Sequence, residues 1–133
     1  MAVLSVAGAM TLVVSGVAFG ARRTTNPGLA PVTAYVIETD KGITYSMWQS
    51  FVEEGQPAQV VASELQRGEV VTFQVTNKGK RLHDFAAFGK TTPKLKPGAK
   101  AHFKVALIQR GTFAYRSTLD KGKRGFSGVF RVY

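Results

Sequence analysis

Cysteine is absent from this 133-residue chain, which excludes disulfides, thiolate metal ligands and cysteine nucleophiles together. Acidic side chains are scarce. Eight Asp and Glu stand against 18 Lys and Arg, a formal net charge of +10, so an acidic partner or an anionic surface has to be considered. Helical periodicity is missing too, since no window of a dozen residues repeats its apolar positions at three- and four-residue spacing. The length admits one compact domain and leaves too little for two. With 44% hydrophobic and 20% charged residues, wholesale disorder is excluded as well.

One long apolar run is present, at the start. Residues 1–20 carry no charged side chain, and Arg22 and Arg23 follow directly. Ala18 and Gly20 suit the small positions of a secretory cleavage site, and the run is also long enough to span a bilayer. Residues 1–20 are therefore expected to be a signal peptide or a membrane anchor, with the remainder periplasmic or secreted. Residues 21–31, containing Asn26-Pro27-Gly28 and Pro31, read as a linker. Residues 32–133 read as the folded domain.

From Val32 onward the pattern has period two and is punctuated by glycine turns. Strands are expected over 33–39, 43–52, 58–63, 70–76, 85–88, 101–107, 112–117 and 126–133, with a Pro97-Gly98 turn inside 94–98. Ala101, Phe103, Val105 and Leu107 fall on one face, as do Val71, Phe73 and Val75. So many short strands in about 100 residues predict an all-β, antiparallel Greek-key β-sandwich.

The second half resembles the cupredoxins, the blue-copper sandwiches such as plastocyanin and pseudoazurin. The resemblance lies in GEVVTFQVTNKGKRLHDF, then LKPGAKAHFKV, then GTFAYRSTLDKGKRGFSGVFRV, in that order between Gly68 and Val132. It implies a cupredoxin-like fold and places the family's copper ligands on His83, Ser117, Gly122 and Phe126. Only His83 of these is a ligand type. A blue site needs a thiolate, two imidazoles and a weak axial ligand. Ser117 has a hydroxyl, Gly122 no side chain and Phe126 no lone pair, so no cofactor is expected. Phe126 is in phase with Phe130 and Val132 and is expected to fill the former metal position. The residue that follows the first histidine in the family links the two ligand loops. Asp84, with the hydroxyls of Ser117 and Thr118, is expected to keep that link. The alternative is a copper carrier or electron-transfer protein with an atypical site made of His83 and Met47.

Other candidates are weaker. His102 lies between Lys100 and Lys104 and is expected to face solvent among like charges, which repel a cation. Ser117, His83 and Asp84 or Asp120 invite a hydrolytic triad, but no nucleophile elbow or oxyanion hole accompanies them, and no enzyme is expected. Gly89-Lys90-Thr91 lacks the leading glycine of a phosphate loop, because Asp84 stands there.

Charge is distributed unevenly. From Asn77 to the end there are fourteen basic and two acidic residues, a net of +12, whereas residues 1–76 carry four basic and six acidic, a net of −2. In a cupredoxin-like sandwich Lys78, Lys80, Arg81, Lys121, Lys123 and Arg124 would gather at the former copper end. They are expected to form a docking surface for an acidic protein domain or anionic surface. No aromatic-rich groove for nucleic acid is evident. The chain is thus expected to be an exported cupredoxin-like binding or structural module without a working copper site.

Overall fold

Alternation of apolar and polar residues shapes the central strands. In β1, Val32–Thr39, the side chains of Val32, Ala34 and Val36 are almost completely buried while Tyr35 faces water, as a half-buried pleated ribbon requires. The computed structural model describes residues 30–133. The expected signal or anchor, 1–20, and the linker up to residue 29 lie outside the described residues. The further strands are β2 (Gly42–Glu53), β3 (Gln56–Val61), β4 (Val70–Asn77), β5 (Ala86–Ala87), β6 (Lys90–Thr91), β7 (Lys100–Ala106), β8 (Gly111–Arg116) and β9 (Ser127–Val132). A single 3-10 turn, Thr118–Asp120, interrupts the β8–β9 connection.

Two sheets face each other, one of five strands in the order β3-β2-β1-β4-β7 and one of four in the order β6-β5-β8-β9. The expected sandwich is present. Its strands are not all antiparallel, because β1 and β4 pair in parallel. The cause is the β2–β3 hairpin, which overhangs the start of β1 and ends with Val61 level with Trp48. The chain therefore crosses to β4 at the end of the sandwich where β1 began. One other expectation shifts. The strand expected over 85–88 shortens to β5, which pairs with β6 at Lys90 and Thr91, and residues 94–98 add only a bridge between Leu95 and His83.

The core is aromatic. Phe73 is fully buried, and its ring lies within 6.0 Å of those of Phe85, Phe88, Phe103 and Phe130. Each such ring taken out of water contributes about 2–3 kcal/mol. The sandwich has two distinct ends. At one, the β1–β2 turn, residues 78–85 and the β8–β9 loop come together. At the other, Leu65 bridges Val132 and the buried Glu69 accepts a hydrogen bond from Gln49 Nε2 at 2.7 Å.

Candidate functional site

His83 sits at the first of these ends with no solvent exposure. Its backbone is pinned by paired hydrogen bonds with Leu95, N to O at 3.2 Å and O to N at 2.7 Å. Its ring is held on three sides. Nδ1 lies 2.7 Å from Asp120 Oδ2, Nε2 lies 2.9 Å from Asp40 Oδ1, and Phe126 stacks on the face at 5.6 Å between centroids. Each ring nitrogen thus has a carboxylate oxygen of its own within hydrogen-bond distance.

Asp120 does more than hold the ring. The same oxygen, Oδ2, accepts a hydrogen bond from Ser117 Oγ at 2.6 Å. One carboxylate oxygen thus joins His83 to Ser117, two of the four positions that the resemblance assigns to copper ligands. The loop link expected of Asp84 is also in place. Asp84 Oδ1 accepts from the backbone N–H of Thr118 at 2.6 Å and of Leu119 at 3.3 Å, and its Oδ2 accepts from the Thr118 hydroxyl. Ser117 Oγ lies 3.3 Å from Asp84 Oδ1. The loop after β4 and the loop after β8 are therefore linked as expected.

The acids at this end are drawn inward and the cations are left outside. Asp40 Oδ2 accepts from the Lys80 N–H at 2.8 Å and Oδ1 from the Arg81 N–H at 3.2 Å. These bonds, after that from His83, hold Asp40 far below the ordinary carboxylate range. Burial pushes Asp120 upward, but hydrogen bonds from Ser117 and His83 and the charges of His83 and Lys123 outweigh it and leave its pKa lowered. Arg81 and Lys123 each approach Asp120 Oδ1 at 3.8 Å. Lys78, Lys80, Arg81, Lys121, Lys123 and Arg124 are all exposed, together with Lys41 in the β1–β2 turn. The six residues expected to form the basic end are brought to it.

Beneath this layer lies an acid without a partner. Glu38, in phase with the core residues Ala34 and Val36, is fully buried, and neither carboxyl oxygen has a hydrogen-bond partner. Burial, with the charges of Asp84 and Asp120 added, pushes its pKa up to about 8. Glu38 is neutral at neutral pH, which avoids a buried unpaired charge.

The donor set does not fit a blue copper ion. Both nitrogens of His83 are engaged by carboxylates, Ser117 donates to Asp120, and Phe126 is buried against the imidazole. Among the described residues no three His, Asp or Glu side chains are arranged to hold a metal. Gly122 is not brought to the site. It is exposed at φ 78°, and a side chain built there would meet nothing within 4 Å; from this loop it is Asp120 that reaches the imidazole. The atypical site from His83 and Met47 is corrected by the strand register. Met47 pairs with Ala34, whereas Asp40 follows the Thr39–Gly42 pair five positions along β2. That separates Met47 from the His83 end by about 16 Å of strand. No triad forms either. Ser117 and His83 both bond to Asp120 and not to each other, so no imidazole faces the hydroxyl. His102 is exposed, as expected.

Sequence reasoning missed Asp40 and Glu38 as members of this site, and it named Asp120 only in a triad that it set aside. For Glu38 the signal existed, because its parity in β1 is that of the core. For Asp40 it did not, since 43 positions separate it from His83.

The fold defines the class: the described residues form a cupredoxin-like β-sandwich. It is similar to the dithionite-reduced auracyanin of the photosynthetic bacterium Roseiflexus castenholzii, with a TM-score of 0.55 and 12% identity over 76% of this chain and 96% of that one. A multicopper oxidase aligns with a TM-score of 0.47 at 16% identity, over 78% of this chain and 42% of that chain. The copper-containing nitrite reductase of Thermus scotoductus aligns with a TM-score of 0.45 at 14% identity, over 77% of this chain and 26% of that chain. No protein-family model and no curated protein matches the sequence.

Proposed function

We propose that this chain is a non-catalytic cupredoxin-like binding module. A carboxylate clasp takes the place of a type 1 copper centre, and the cationic end above it docks an acidic protein domain or surface. Residues 1–20 would deliver it across a membrane, as a cleaved signal or as an anchor, so the domain works outside the cytoplasm. The observation that carries the reading is the pair of contacts on His83, Asp120 at Nδ1 and Asp40 at Nε2. Those bonds occupy the lone pairs a metal would need, and they turn the carboxylates of this end away from an incoming partner.

What remains outward is positive charge on three neighbouring loops. Such a pole raises association rates with an oppositely charged partner and fixes orientation more than it adds affinity. Its range follows the Debye length, about 8 Å at physiological ionic strength.

Two measurements test this. The chain is mixed with excess cupric ion, desalted and assayed for metal and visible absorption. Substoichiometric copper without an intense band is expected. One-to-one copper with such a band, lost in His83→Ala, would overturn the reading. Binding to immobilised polyglutamate is then followed against salt. Retention that weakens steeply with salt and in a Lys121→Glu, Lys123→Glu, Arg124→Glu variant is expected. Retention indifferent to both would remove the docking surface.

A further inference from the structure

The outer face of the five-stranded sheet carries a second feature, independent of the basic end. Strand register places Tyr35, Gln74 and His102 in one row across β1, β4 and β7, with Ile37, Thr76 and Lys100 in the next row and Thr33, Thr72 and Lys104 in the row on the other side. Long side chains on β1 and β7 stand over two short threonines on the strand between them. The result is an open trough of about 500 Å³ along β4, lined by Tyr35, Ile37, Thr72, Gln74, Lys100 and His102 among others. Its walls lie two strand spacings apart, about 10 Å.

The two walls differ in chemistry. On the β1 side the wall is Tyr35 and Ile37, and Trp48, paired with Thr33, continues it onto β2. On the β7 side it is Lys100 and His102, both exposed, and Lys104, paired with Thr72, stands in the adjoining row. The floor offers the hydroxyls of Thr72 and Thr76 and the amide of Gln74. None of the outward positions on β1, β2, β3, β4 or β7 is a carboxylate; the half-buried Glu53, at the end of β2, and the exposed Glu54 lie at the hairpin tip. Tyr35 is 40% exposed, with its ring available.

We infer that this trough binds an acidic oligosaccharide lying along β4. The apolar C–H face of a sugar ring packs on Tyr35, as amphipathic ligands pack on aromatic rings. Ring hydroxyls exchange hydrogen bonds with Gln74, Thr72 and Thr76. Carboxylate or sulfate groups meet Lys100 in a charge-assisted bond and accept a hydrogen bond from His102. The arrangement of an apolar wall, a polar floor and few convergent charges is that of a ligand cleft. The Thr72–Thr76 span, about 13 Å, accommodates two to three sugar rings. A nucleic acid would also bring rings and negative charge, but the trough offers one ring beside its cations and no succession of stacking platforms.

The test is calorimetric titration of the full chain at about 0.15 M salt, where non-specific attraction is largely screened. The probes are hexagalacturonate, a sulfated hexasaccharide, neutral cellohexaose and the oligonucleotide dT6. Binding of at least one acidic saccharide, with cellohexaose and dT6 much weaker, is expected. Tyr35→Ala should weaken it about tenfold, Tyr35→Phe should restore it, and Lys100→Ala with His102→Ala should weaken it severalfold. The Lys121→Glu, Lys123→Glu, Arg124→Glu variant should bind as the parent does. Failure of both acidic probes, preference for dT6, or loss in the triple variant with no change in Tyr35→Ala would overturn the assignment. The last result would leave the docking role of the basic end standing.

Discussion

Replacing Glu38 by glutamine keeps the shape of the side chain and removes its titration. In the folded protein this carboxyl is buried without a partner and has a pKa of about 8, against 4.5 for the free group. Between those values the unfolded chain releases the proton and the folded one keeps it. Each step upward in pH therefore favours unfolding, and stability declines through this window. The full gap corresponds to about 5 kcal/mol, of which about 4 kcal/mol accrues between pH 5 and pH 9. That is a large share of a typical domain's stability and moves a melting point by on the order of 20 °C. Urea unfolding of parent and Glu38→Gln at both pH values measures the effect, and the difference between the two proteins cancels every other titrating group. Glu38→Gln should lie near the parent at pH 5 and exceed it by several kcal/mol at pH 9. A difference that is the same at both pH values would refute the burial of a neutral acid at this position.

The clasp and its surroundings are open to similar tests. Asp120→Ala leaves His83 Nδ1 without its acceptor and Ser117 Oγ with only the longer contact to Asp84, and should cost about 3–5 kcal/mol in denaturant melts; a loss within error would show that the bridge contributes nothing. Asp84→Ala breaks three hydrogen bonds to Thr118 and Leu119 and should cost about 2–4 kcal/mol, seen as a lowered melting temperature. Phe126→Ala opens a cavity beside the imidazole and should cost about 3–5 kcal/mol. Because Asp40 and Asp120 titrate below their ordinary range, the stability they contribute is present above pH 4 and is lost as acid approaches their folded values; acid unfolding should shift upward in pH in Asp40→Asn.

Strand parity was readable because one face of each sheet must be dry. It placed Phe126 with Phe130, Phe73 with Val75, and His102 in water, and the structure agrees at each. The resemblance carried the Asp84 link, a local tie between loops whose order in the chain is fixed. What parity cannot supply is which side chain from a distant turn fills a vacated position. Asp40-Lys41-Gly42 reads as a turn and nothing more, yet its first residue caps His83. In the β8–β9 loop, alignment by sequence order pointed to Gly122, and the residue that reaches the imidazole lies two positions earlier. The parallel pairing of β1 and β4 was hidden for a related reason. It depends on how far the β2–β3 hairpin overhangs, which no alternation pattern encodes.

The turn that carries Asp40 touches the β8–β9 loop through main chain alone. Ile43 N donates to Gly125 O at 2.8 Å, and a Cβ on Gly42 or Gly125 would lie 2.8 or 2.9 Å from the opposing carbonyl oxygen. Gly125 adopts φ 87° to make this approach. The seat of the imidazole is thus framed by backbone abutment beneath the carboxylates that grip its ring. Evolution or an engineer can rewrite the electrostatic exterior of this end residue by residue while the scaffold under it keeps its form, whereas a single methyl group at either glycine would prise the two loops apart.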